Sequence, residues 1–313
     1  MCFADFEFTC GGFIDNTRSE ILSVGMVICS PDYEIVEKFY STARPNKFPR
    51  MTRQCRELTG LDQSEINASP DSNDVLSSAL SAMKKYKVSH LYVWGNFDKP
   101  GLAGDINQHR RAGKPCDSLS EAYHRITDIQ DETTRKMGLP QAVSISELAA
   151  SLDHIPETGS FHNALNDAEA LYAIHKAAYT TDLSQNEKFC RLRQDRLDKL
   201  AAIKAANEQR RRDEALSLPL QPEEQVYYAT LGSKGSTKEL NRFIAMRAKF
   251  VRALNRYPDA EHLTLAVFRD TGGYKIVPSE KFRGALKYAS SRHTDFERGD
   301  FGKVLIEECK KPS

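Results

Sequence analysis

The first 43 residues contain three segments with the pattern of β-strands, and this feature restricts the fold more than any other. Within residues 2–9, phenylalanines alternate with polar side chains from Asp5 to Thr9, whereas residues 21–29 are mostly apolar. Residues 34–43 form the third segment and follow the turn Ser30-Pro31-Asp32. Because consecutive strands joined by short connections usually pair with each other, we predict that the sheet begins with a three-stranded meander.

The segment that follows is mostly helical and contains one further strand. We predict a buried strand at residues 90–94 and helices at residues 52–59, 71–86 and 163–179. Ser118 and Ser144 are each followed three residues later by a glutamate, the pattern of a capping box, and they indicate two more helix starts. Strands followed by alternating helices and strands predict an α/β fold, in which helices flank a mixed sheet.

The chain is longer than one typical domain, and its charge is divided unequally. Residues 1–182 contain 18 basic and 25 acidic side chains, a net charge of −7, whereas residues 183–313 contain 26 and 18, a net charge of +8. We predict a domain at residues 1–182, a charged helical linker at residues 183–218 and a second domain at residues 219–313. The basic half indicates a polyanionic partner, but solvated helix charge would explain it equally well. For the triplet Arg210-Arg211-Arg212, contact with phosphates is one interpretation and solvated helix charge is the more common explanation.

The C-terminal segment is predicted to be an α+β domain, joined to the first domain by a long basic helix at residues 184–216. Its pattern predicts strands at residues 226–231, 262–269, 274–278 and 303–309, and helices at residues 236–257 and 279–291. This β-α-β-β-α-β order suggests a ferredoxin-like sandwich. Aromatic residues on the predicted strands would stack bases as in RNA-recognition modules, and they are Tyr227, Tyr228, Phe268 and Tyr274. Nucleic-acid binding and a dimer or protein-docking role therefore both stay open.

Several protein classes are excluded by the motifs that the sequence lacks. The seven cysteines include no C-x-x-C pair, which argues against the common zinc and redox motifs and fits a reducing, cytoplasmic location. No apolar run approaches the roughly 18 residues of a membrane span, and the early acidic residues argue against a signal peptide. The G-x-S-x-G, H-E-x-x-H and Rossmann glycine motifs are also absent. We therefore expect no membrane partner.

The first candidate for chemistry is the pair Asp5 and Glu7 in the first predicted strand. Side chains two residues apart point to the same face of a strand, so the two carboxylates lie side by side. Their mutual repulsion makes this arrangement unfavourable unless a divalent cation neutralises them. The D-x-E pattern alone is also common on exposed strands that bind nothing.

Two further acidic positions and a histidine complete the set of candidates. Asp98 follows the strand at residues 90–94, and the carboxyl ends of strands are where α/β sheets usually bind ligands. His162 precedes a predicted helix, and Asp167 lies five residues later in its first turns. Each element has an ordinary explanation, since aspartates are frequent in turns and a histidine before a helix usually caps or packs.

Together these elements resemble the DEDD-type exonuclease superfamily, in the DEDDh subgroup whose last motif is H-x4-D. The likeness is greatest to the histone-mRNA and small-RNA 3′ exonucleases and their bacterial relatives. It covers roughly residues 1–178 and is carried by Asp5-Phe6-Glu7-Phe8-Thr9-Cys10, Arg44-Pro45 and Cys55-Arg56-Glu57-Leu58-Thr59-Gly60-Leu61. At the second motif, Gly95-Asn96-Phe97-Asp98 has phenylalanine where the subgroup more often has Trp or Tyr.

The resemblance implies an RNase H-like fold and a two-metal phosphodiester hydrolysis with two Mg²⁺ or Mn²⁺ ions. Asp5 would bridge the two ions, Glu7 and Asp167 would hold the ion that carries the attacking water, and Asp98 would position the other. His162 would be the general base. Four residues would contact the substrate near its 3′ end, and Ala164 would allow close approach; the four are Phe8, Thr9, Leu58 and Thr59. Plain core packing would explain these four equally well.

The implied activity is removal of nucleoside 5′-monophosphates from the 3′ ends of single-stranded nucleic acid, with RNA favoured. A DNA-directed 3′–5′ exonuclease of repair or proofreading is the alternative, because the same metal site cleaves either backbone. Contacts to the 2′-hydroxyl would distinguish the two substrates, and the sequence does not reveal such contacts. A catalytically inactive relative that only binds nucleic acid or a protein is the other alternative.

Overall fold

A computed structural model describes residues 1–12, 14, 18–154, 161–233, 237–268, 273–281 and 291–310. The chain divides into two units, Met1–Asp198 and Lys199–Ser313. Across the described ranges, no helix is both long enough and apolar enough to cross a membrane.

The N-terminal unit is built on a five-stranded mixed sheet with the strand order β3-β2-β1-β4-β5. Its strands are β1 (Cys2–Phe8), β2 (Ile21–Cys29), β3 (Ile35–Thr42), β4 (Leu91–Val93) and β5 (Ile126–Asp128). The first three pair antiparallel, so the predicted meander is confirmed. Strands β4 and β5 then extend the sheet in parallel from β1.

Helices flank this sheet, as the sequence predicted. They are α1 (Arg53–Thr59), α2 (Gln63–Ala68), α3 (Ser72–Lys85), α4 (Asp98–Arg111), α5 (Asp117–Arg125), α6 (Gln130–Lys136), α7 (Ile145–Ser151) and α8 (Ala164–Thr180). Ser144 caps α7, since its hydroxyl accepts a hydrogen bond from the Glu147 backbone N–H at 3.3 Å. The predicted start at Ser118 is slightly late, because α5 begins at Asp117 and the Ser118 N–H donates to Asn73 Oδ1 instead.

Strand β1 separates two parts of the core by its alternation. Its even-numbered side chains, Cys2, Ala4 and Phe6, pack into the larger cluster with α3, α4 and α5. Phe3 faces the other way and packs with Leu171 of α8. Full burial of such a phenylalanine stabilises the fold by about 1.5–3 kcal/mol. The odd-numbered side chains of β1 therefore lie on the face that α8 covers.

The C-terminal unit is an α+β structure with a three-stranded antiparallel sheet in the order β7-β6-β8. Its strands are β6 (His262–Phe268), β7 (Tyr274–Pro278) and β8 (Ser291–Glu297). Its helices include α10 (Pro222–Ser233), α11 (Thr237–Arg256) and α12 (Phe301–Lys310). Helix α9 (Glu187–Leu216) continues across the division between the two units.

Two predicted strands of this unit are wrong, so the β-α-β-β-α-β order is not found in the described residues. Residues 226–231 lie in α10, where Tyr227 and Tyr228 both contact Phe243 of α11. Residues 303–309 lie in α12, where Leu305 and Cys309 are buried four residues apart, the helical spacing. In both segments tertiary packing overrides the strand propensity of β-branched and aromatic residues.

The predicted helix at residues 279–291 is also not found where the chain is described. Ser279–Lys281 form a single 3₁₀ turn, and Ser291 already belongs to strand β8, which the sequence pattern missed. Residues 282–290, the side chain of Phe268 and the predicted helix start at Ser236 lie outside the described residues.

A buried ion pair organises the core of the C-terminal unit. The side chains of Arg247 on α11 and Glu224 on α10 are each 1% exposed, and their charged atoms lie 3.2 Å apart. Arg247 also donates to the backbone carbonyl oxygens of Ala215 and Pro219. The guanidinium thereby gives a partner to the Ala215 carbonyl in the last turn of α9, where helix carbonyls have no intrahelical donor.

Candidate active site

The carboxylates of Asp5 and Glu7 lie on the α8 side of strand β1, at the end of the row that begins with Phe3. Asp5 is partly buried, and Glu7 is 8% exposed. On the neighbouring strand β2, Gly25 is the register partner of Asp5. Two acidic side chains therefore lie side by side at the centre of the sheet.

Gly25 allows the first turn of α8 to rest directly on the sheet. A Cβ atom at Gly25 would lie 2.1 Å from the backbone carbonyl carbon of Ala164 and 2.2 Å from the backbone nitrogen of Leu165. The side chain of Asn163 caps the helix at the same point, accepting from the N–H groups of Leu165 and Asn166. This close approach places Asp167, in the first turn of α8, beside Glu7.

His162 is held in the same place by an unusual backbone conformation. Its φ is +65°, in the left-handed region that non-glycine residues rarely adopt, and its backbone N–H donates to Asp167 Oδ2 at 2.9 Å. Glu7, His162 and Asp167 each offer one ligand atom, and these three atoms all lie within 4.8 Å of one another. The imidazole is exposed, whereas both carboxylates are buried.

Asp98 enters the site at the first residue of α4, directly after the loop that follows β4. The Oδ1 atom of Asp128 accepts from the N–H groups of Gly95 and Gln130, both at 2.9 Å, and so anchors this loop to β5. Asp98 begins α4 and is 6% exposed. One turn on, Gly101 leaves room for the ring of Phe8, which a Cβ atom would approach to 2.6 Å.

A cavity of about 470 Å³ contains all five of the side chains that the sequence proposed for catalysis. These are Asp5, Glu7, Asp98, His162 and Asp167. Aromatic rings form much of the remaining wall, and they belong to Phe8, Trp94, Phe97 and Phe161. The cavity thus combines a charged floor with surfaces on which a planar base could stack.

The carboxylates in this cavity are strained electrostatically. Burial, with the charges of Asp167 and Asp98, raises the pKa of Glu7 to about 8. Burial also raises the pKa of Asp98 to about 7 and that of Asp167 to about 6, the latter against the opposing N–H of His162. The pKa of Asp5 lies well above its usual range, because it is desolvated and faces the other three carboxylates.

The residues present fit a divalent cation. In the described part of the chain, the Oδ1 atom of Asp167 is buried and has no hydrogen-bond partner. Carboxylates that raise one another's pKa are stabilised in their charged form by a cation. The four carboxylates supply hard oxygen ligands, which suit Mg²⁺ or Mn²⁺, and the imidazole adds one nitrogen donor.

The four side chains proposed to contact substrate are placed differently from one another. Phe8 lines the cavity. Thr9 is buried and its hydroxyl accepts from the Glu20 N–H at 3.0 Å. The Thr59 hydroxyl donates to the Cys55 carbonyl at 2.9 Å, and Leu58 is 43% exposed. Only Phe8 among these four is part of the described cavity wall.

Some residues of the site were not identified from the sequence. Phe97 lines the cavity and is 73% exposed, which is unusual for a phenylalanine. Its position directly before Asp98 was the available signal. Trp94, Phe161 and Gln130 also line the cavity. They are distant from one another in the sequence, so only the fold shows that they belong to the same site.

A polar network away from the cavity fixes helix α4, and with it Asp98, against the meander. Asp105 Oδ2 accepts from the Ile21 N–H at 3.0 Å. His109, fully buried, lies between Asp105 and Asp71, with ring-nitrogen to carboxylate distances of 2.9 Å and 2.7 Å. Burial opposes the charged imidazole, but the two carboxylates outweigh it and raise the pKa of His109 to about 9.

Comparison with known proteins gives one family and several relatives. A family model described as exonuclease matches residues 2–175. The chain is 34% identical over 179 residues to the probable 3′–5′ exonuclease KapD of Bacillus subtilis (strain 168), a match that covers 56% of this chain and 82% of KapD.

Solved structures of exonucleases are similar at lower identity. One is a 3′-exonuclease with 3′-end-specific recognition of a histone mRNA stem-loop, at 19% identity and a TM-score of 0.47, covering 56% of this chain and 62% of that one. This chain thus spans less than two thirds of its length. Another is the nuclease domain of 3′hExo, a DEDDh family member bound to rAMP, at 20% identity and a TM-score of 0.47, covering 56% and 90%.

Proposed function

Because this chain belongs to the exonuclease family and is a DEDDh-type 3′–5′ exonuclease, as its motifs predicted, we propose that it trims single-stranded RNA from the 3′ end and releases nucleoside 5′-monophosphates. The observation that supports this most is the convergence of four carboxylates and one histidine in a single cavity of about 470 Å³. These side chains come from three separate parts of the sequence, so their convergence is a property of the fold.

The carboxylates of the cavity are the groups that would hold the metal ions on which this family depends. Glu7 and Asp167 would hold one ion, Asp5 would bridge to a second, and Asp98 would position the second. Two Mg²⁺ or Mn²⁺ ions would supply a nucleophilic hydroxide and neutralise charge on the leaving oxygen. The raised pKa values of Glu7, Asp98 and Asp167 support this proposal, because cations would restore the ionised forms.

His162 is proposed to accept the proton of the attacking water. Histidine is the most frequent general base in enzymes. The Asp167 carboxylate fixes the backbone of His162 through the 2.9 Å hydrogen bond, while the imidazole is exposed at the cavity. An anchored backbone with an exposed side chain suits a group that must reach a water and then release its proton to solvent.

The aromatic wall is proposed to hold the 3′-terminal bases. Phe97 and Phe8 both line the cavity, and base stacking on such rings contributes about 1–3 kcal/mol per base. Stacking does not distinguish RNA from DNA. The preference for RNA rests on the resemblance carried by Arg44-Pro45 and the segment from Cys55 to Leu61.

The experiment follows 5′-labelled single-stranded RNA and DNA of equal sequence in Mg²⁺ or Mn²⁺. We expect a ladder that shortens from the 3′ end, faster for RNA, and that disappears with EDTA. Asp5→Asn is expected to abolish shortening, whereas Asp32→Asn, an exposed turn aspartate outside the cavity, serves as the matched control. Faster loss of DNA would favour the alternative substrate. No shortening by a folded protein that still binds the strand would favour an inactive binding relative.

A further inference from the structure

The C-terminal unit contains two adjoining clefts that the proposed function does not use. One has a volume of about 970 Å³ and lies between the end of α9, helix α11 and strand β7. The second, of about 570 Å³, continues along α11 and β7. Lys249, Arg252 and Tyr274 line both, so the two form one continuous surface, which we call the paired cleft.

The paired cleft is strongly basic. Its lining includes two acidic residues, Asp213 and Glu214, and six basic ones, Arg210, Arg211, Lys249, Arg252, Arg256 and Lys275. Arg252 pairs with Glu214 at 2.9 Å. Within the described ranges, the other five basic side chains have no carboxylate within 4.0 Å. Among the described residues, most of the positive charge of the cleft is therefore not paired with a carboxylate.

Lys249 contacts the aromatic residue Tyr274 and is repelled by neighbouring positive charges. Its Nζ atom lies 3.9 Å from the centre of the Tyr274 ring and donates to the Tyr274 carbonyl oxygen at 3.1 Å. Partial burial, with the charges of Arg252 and Arg211, lowers the pKa of Lys249. An anion in the cleft would relieve this repulsion.

Two tyrosines, Tyr274 and Tyr257, lie among the positive charges of the paired cleft. The Tyr274 hydroxyl oxygen is buried and, among the residues described, has no hydrogen-bond partner. Tyr257, on the wall of the second cleft, has the Lys281 Nζ atom 5.1 Å from its ring centre. Basic grooves with interleaved aromatic rings are typical of proteins that bind single-stranded nucleic acids.

The basic residues of α11 also follow one line along the groove. Lys249, Arg252 and Arg256 are three and four residues apart, which places them on one face of the helix. At about 1.5 Å per residue, they extend over about 10 Å. An extended chain of phosphates can meet such a row in succession, whereas a single small anion would use only one part of it.

We propose that the paired cleft binds the phosphate backbone of single-stranded nucleic acid, with Tyr274 and Tyr257 contacting its bases or sugars. This is a second site, separate from the exonuclease cavity, and it does not depend on hydrolysis. The triplet Arg210-Arg211-Arg212 thereby gains a function for its first two members, which line the cleft.

The test measures binding of the full chain to fluorescein-labelled oligouridine in EDTA, where no hydrolysis can occur, at several salt concentrations. The variant Arg211→Gln/Arg256→Gln/Lys275→Gln removes three exposed charges of the cleft. The control Lys199→Gln/Lys204→Gln/Lys303→Gln removes three exposed charges that lie outside it. Thermal melts of both variants establish that each is folded.

The slope of log K against log salt is negative, and the loss of three phosphate contacts is expected to make it less negative by about 2. The control variant is expected to keep the slope of the unmodified chain. Equal slopes and affinities for both variants would overturn the proposal. Binding to phosphatidylserine vesicles is measured in parallel. If the cleft variant lost binding to the vesicles but kept its binding to oligouridine, the partner would be a lipid surface and the proposal would be overturned. Because this binding is measured without hydrolysis, failure of the proposed exonuclease function would not change its outcome. The two proposals can therefore fail separately.

Discussion

The substitution Gly25→Ala tests how the site is assembled without touching any group proposed for catalysis. The new Cβ atom would lie 2.1 Å from the Ala164 carbonyl carbon, whereas ordinary contact begins at 3.4 Å. Because the contacted atoms belong to backbone, a side-chain rotation cannot relieve the overlap. Helix α8 must therefore move away from β2 by about 1.3 Å, or the strand must move by the same amount.

This displacement is expected to reduce activity far more than its effect on stability would suggest. Asp167 and His162 lie at the start of α8, so they move with its first turn away from Glu7. A displacement of about 1 Å at a catalytic group can lower the rate about 100-fold. Overpacking of this kind costs about 1–3 kcal/mol, which leaves most proteins folded.

The assay compares initial rates of RNA shortening with the free energy of unfolding in urea. Gly232→Ala is the control, because a Cβ atom at that position meets nothing within 4 Å. We expect about a 100-fold lower rate for Gly25→Ala and an unchanged rate for the control. A rate for Gly25→Ala within twofold of the unmodified chain would refute the reasoning that the close approach of α8 to β2 positions Asp167.

Three further outcomes follow from the structure. Phe97→Ala is expected to raise KM for RNA about tenfold by loss of base stacking, with little change in the melting temperature because the ring is 73% exposed; an unchanged KM would contradict its role. Arg247→Ala leaves the Glu224 carboxylate buried without its partner, so urea unfolding should show a loss of about 3–5 kcal/mol, and a loss below about 1 kcal/mol would contradict the assigned ion pair. The pKa of His109 is raised to about 9 from an unfolded value of about 6.5, so the stabilisation from its charged form is complete below about pH 6.5 and is lost as the pH rises through about 9. The free energy of unfolding, measured across that pH range, should show this decline, and the variant His109→Gln should lack it.

The fold of the N-terminal unit could be predicted because its signals are local. The alternation in β1, the apolar run of β2 and the capping box at Ser144 are each read within a few residues. In the C-terminal unit, the local sequence around Tyr227 is compatible with a strand and with a helix. The contact of Tyr227 with Phe243 and the ion pair between Glu224 and Arg247 favour the helix. Both partners, Phe243 and Arg247, are distant in sequence, so a local pattern does not reveal these contacts.

The candidate site shows the same distinction. Asp5, Glu7, His162 and Asp167 were accessible to prediction because the D-x-E and H-x4-D motifs, taken together, resemble those of a known exonuclease family. Gly25 was not, since its importance arises from the backbone of Ala164 on a helix far along the chain. The exposure of Phe97 likewise depends on the loop that Asp128 anchors.

The basic surface of the C-terminal unit required both kinds of information. The net charge of +8 over residues 183–313 already suggested a polyanionic partner. The tyrosines proposed from the sequence were partly misplaced, since Tyr227 and Tyr228 lie on α10, but Tyr274 does lie on a strand. The fold brings Tyr274 together with Arg211 and Lys249, which no local pattern connects.

The most direct test of the catalytic account is hydrolysis of single-stranded RNA in water enriched in ¹⁸O, with mass spectrometry of the released products. The account predicts nucleoside 5′-monophosphates, released one at a time from the 3′ end, each with one ¹⁸O atom on its phosphate. Their release should require a divalent cation and should be lost in Asp167→Asn. Nucleoside 3′-monophosphates, products that begin at the 5′ end, or release that continues in EDTA would contradict it.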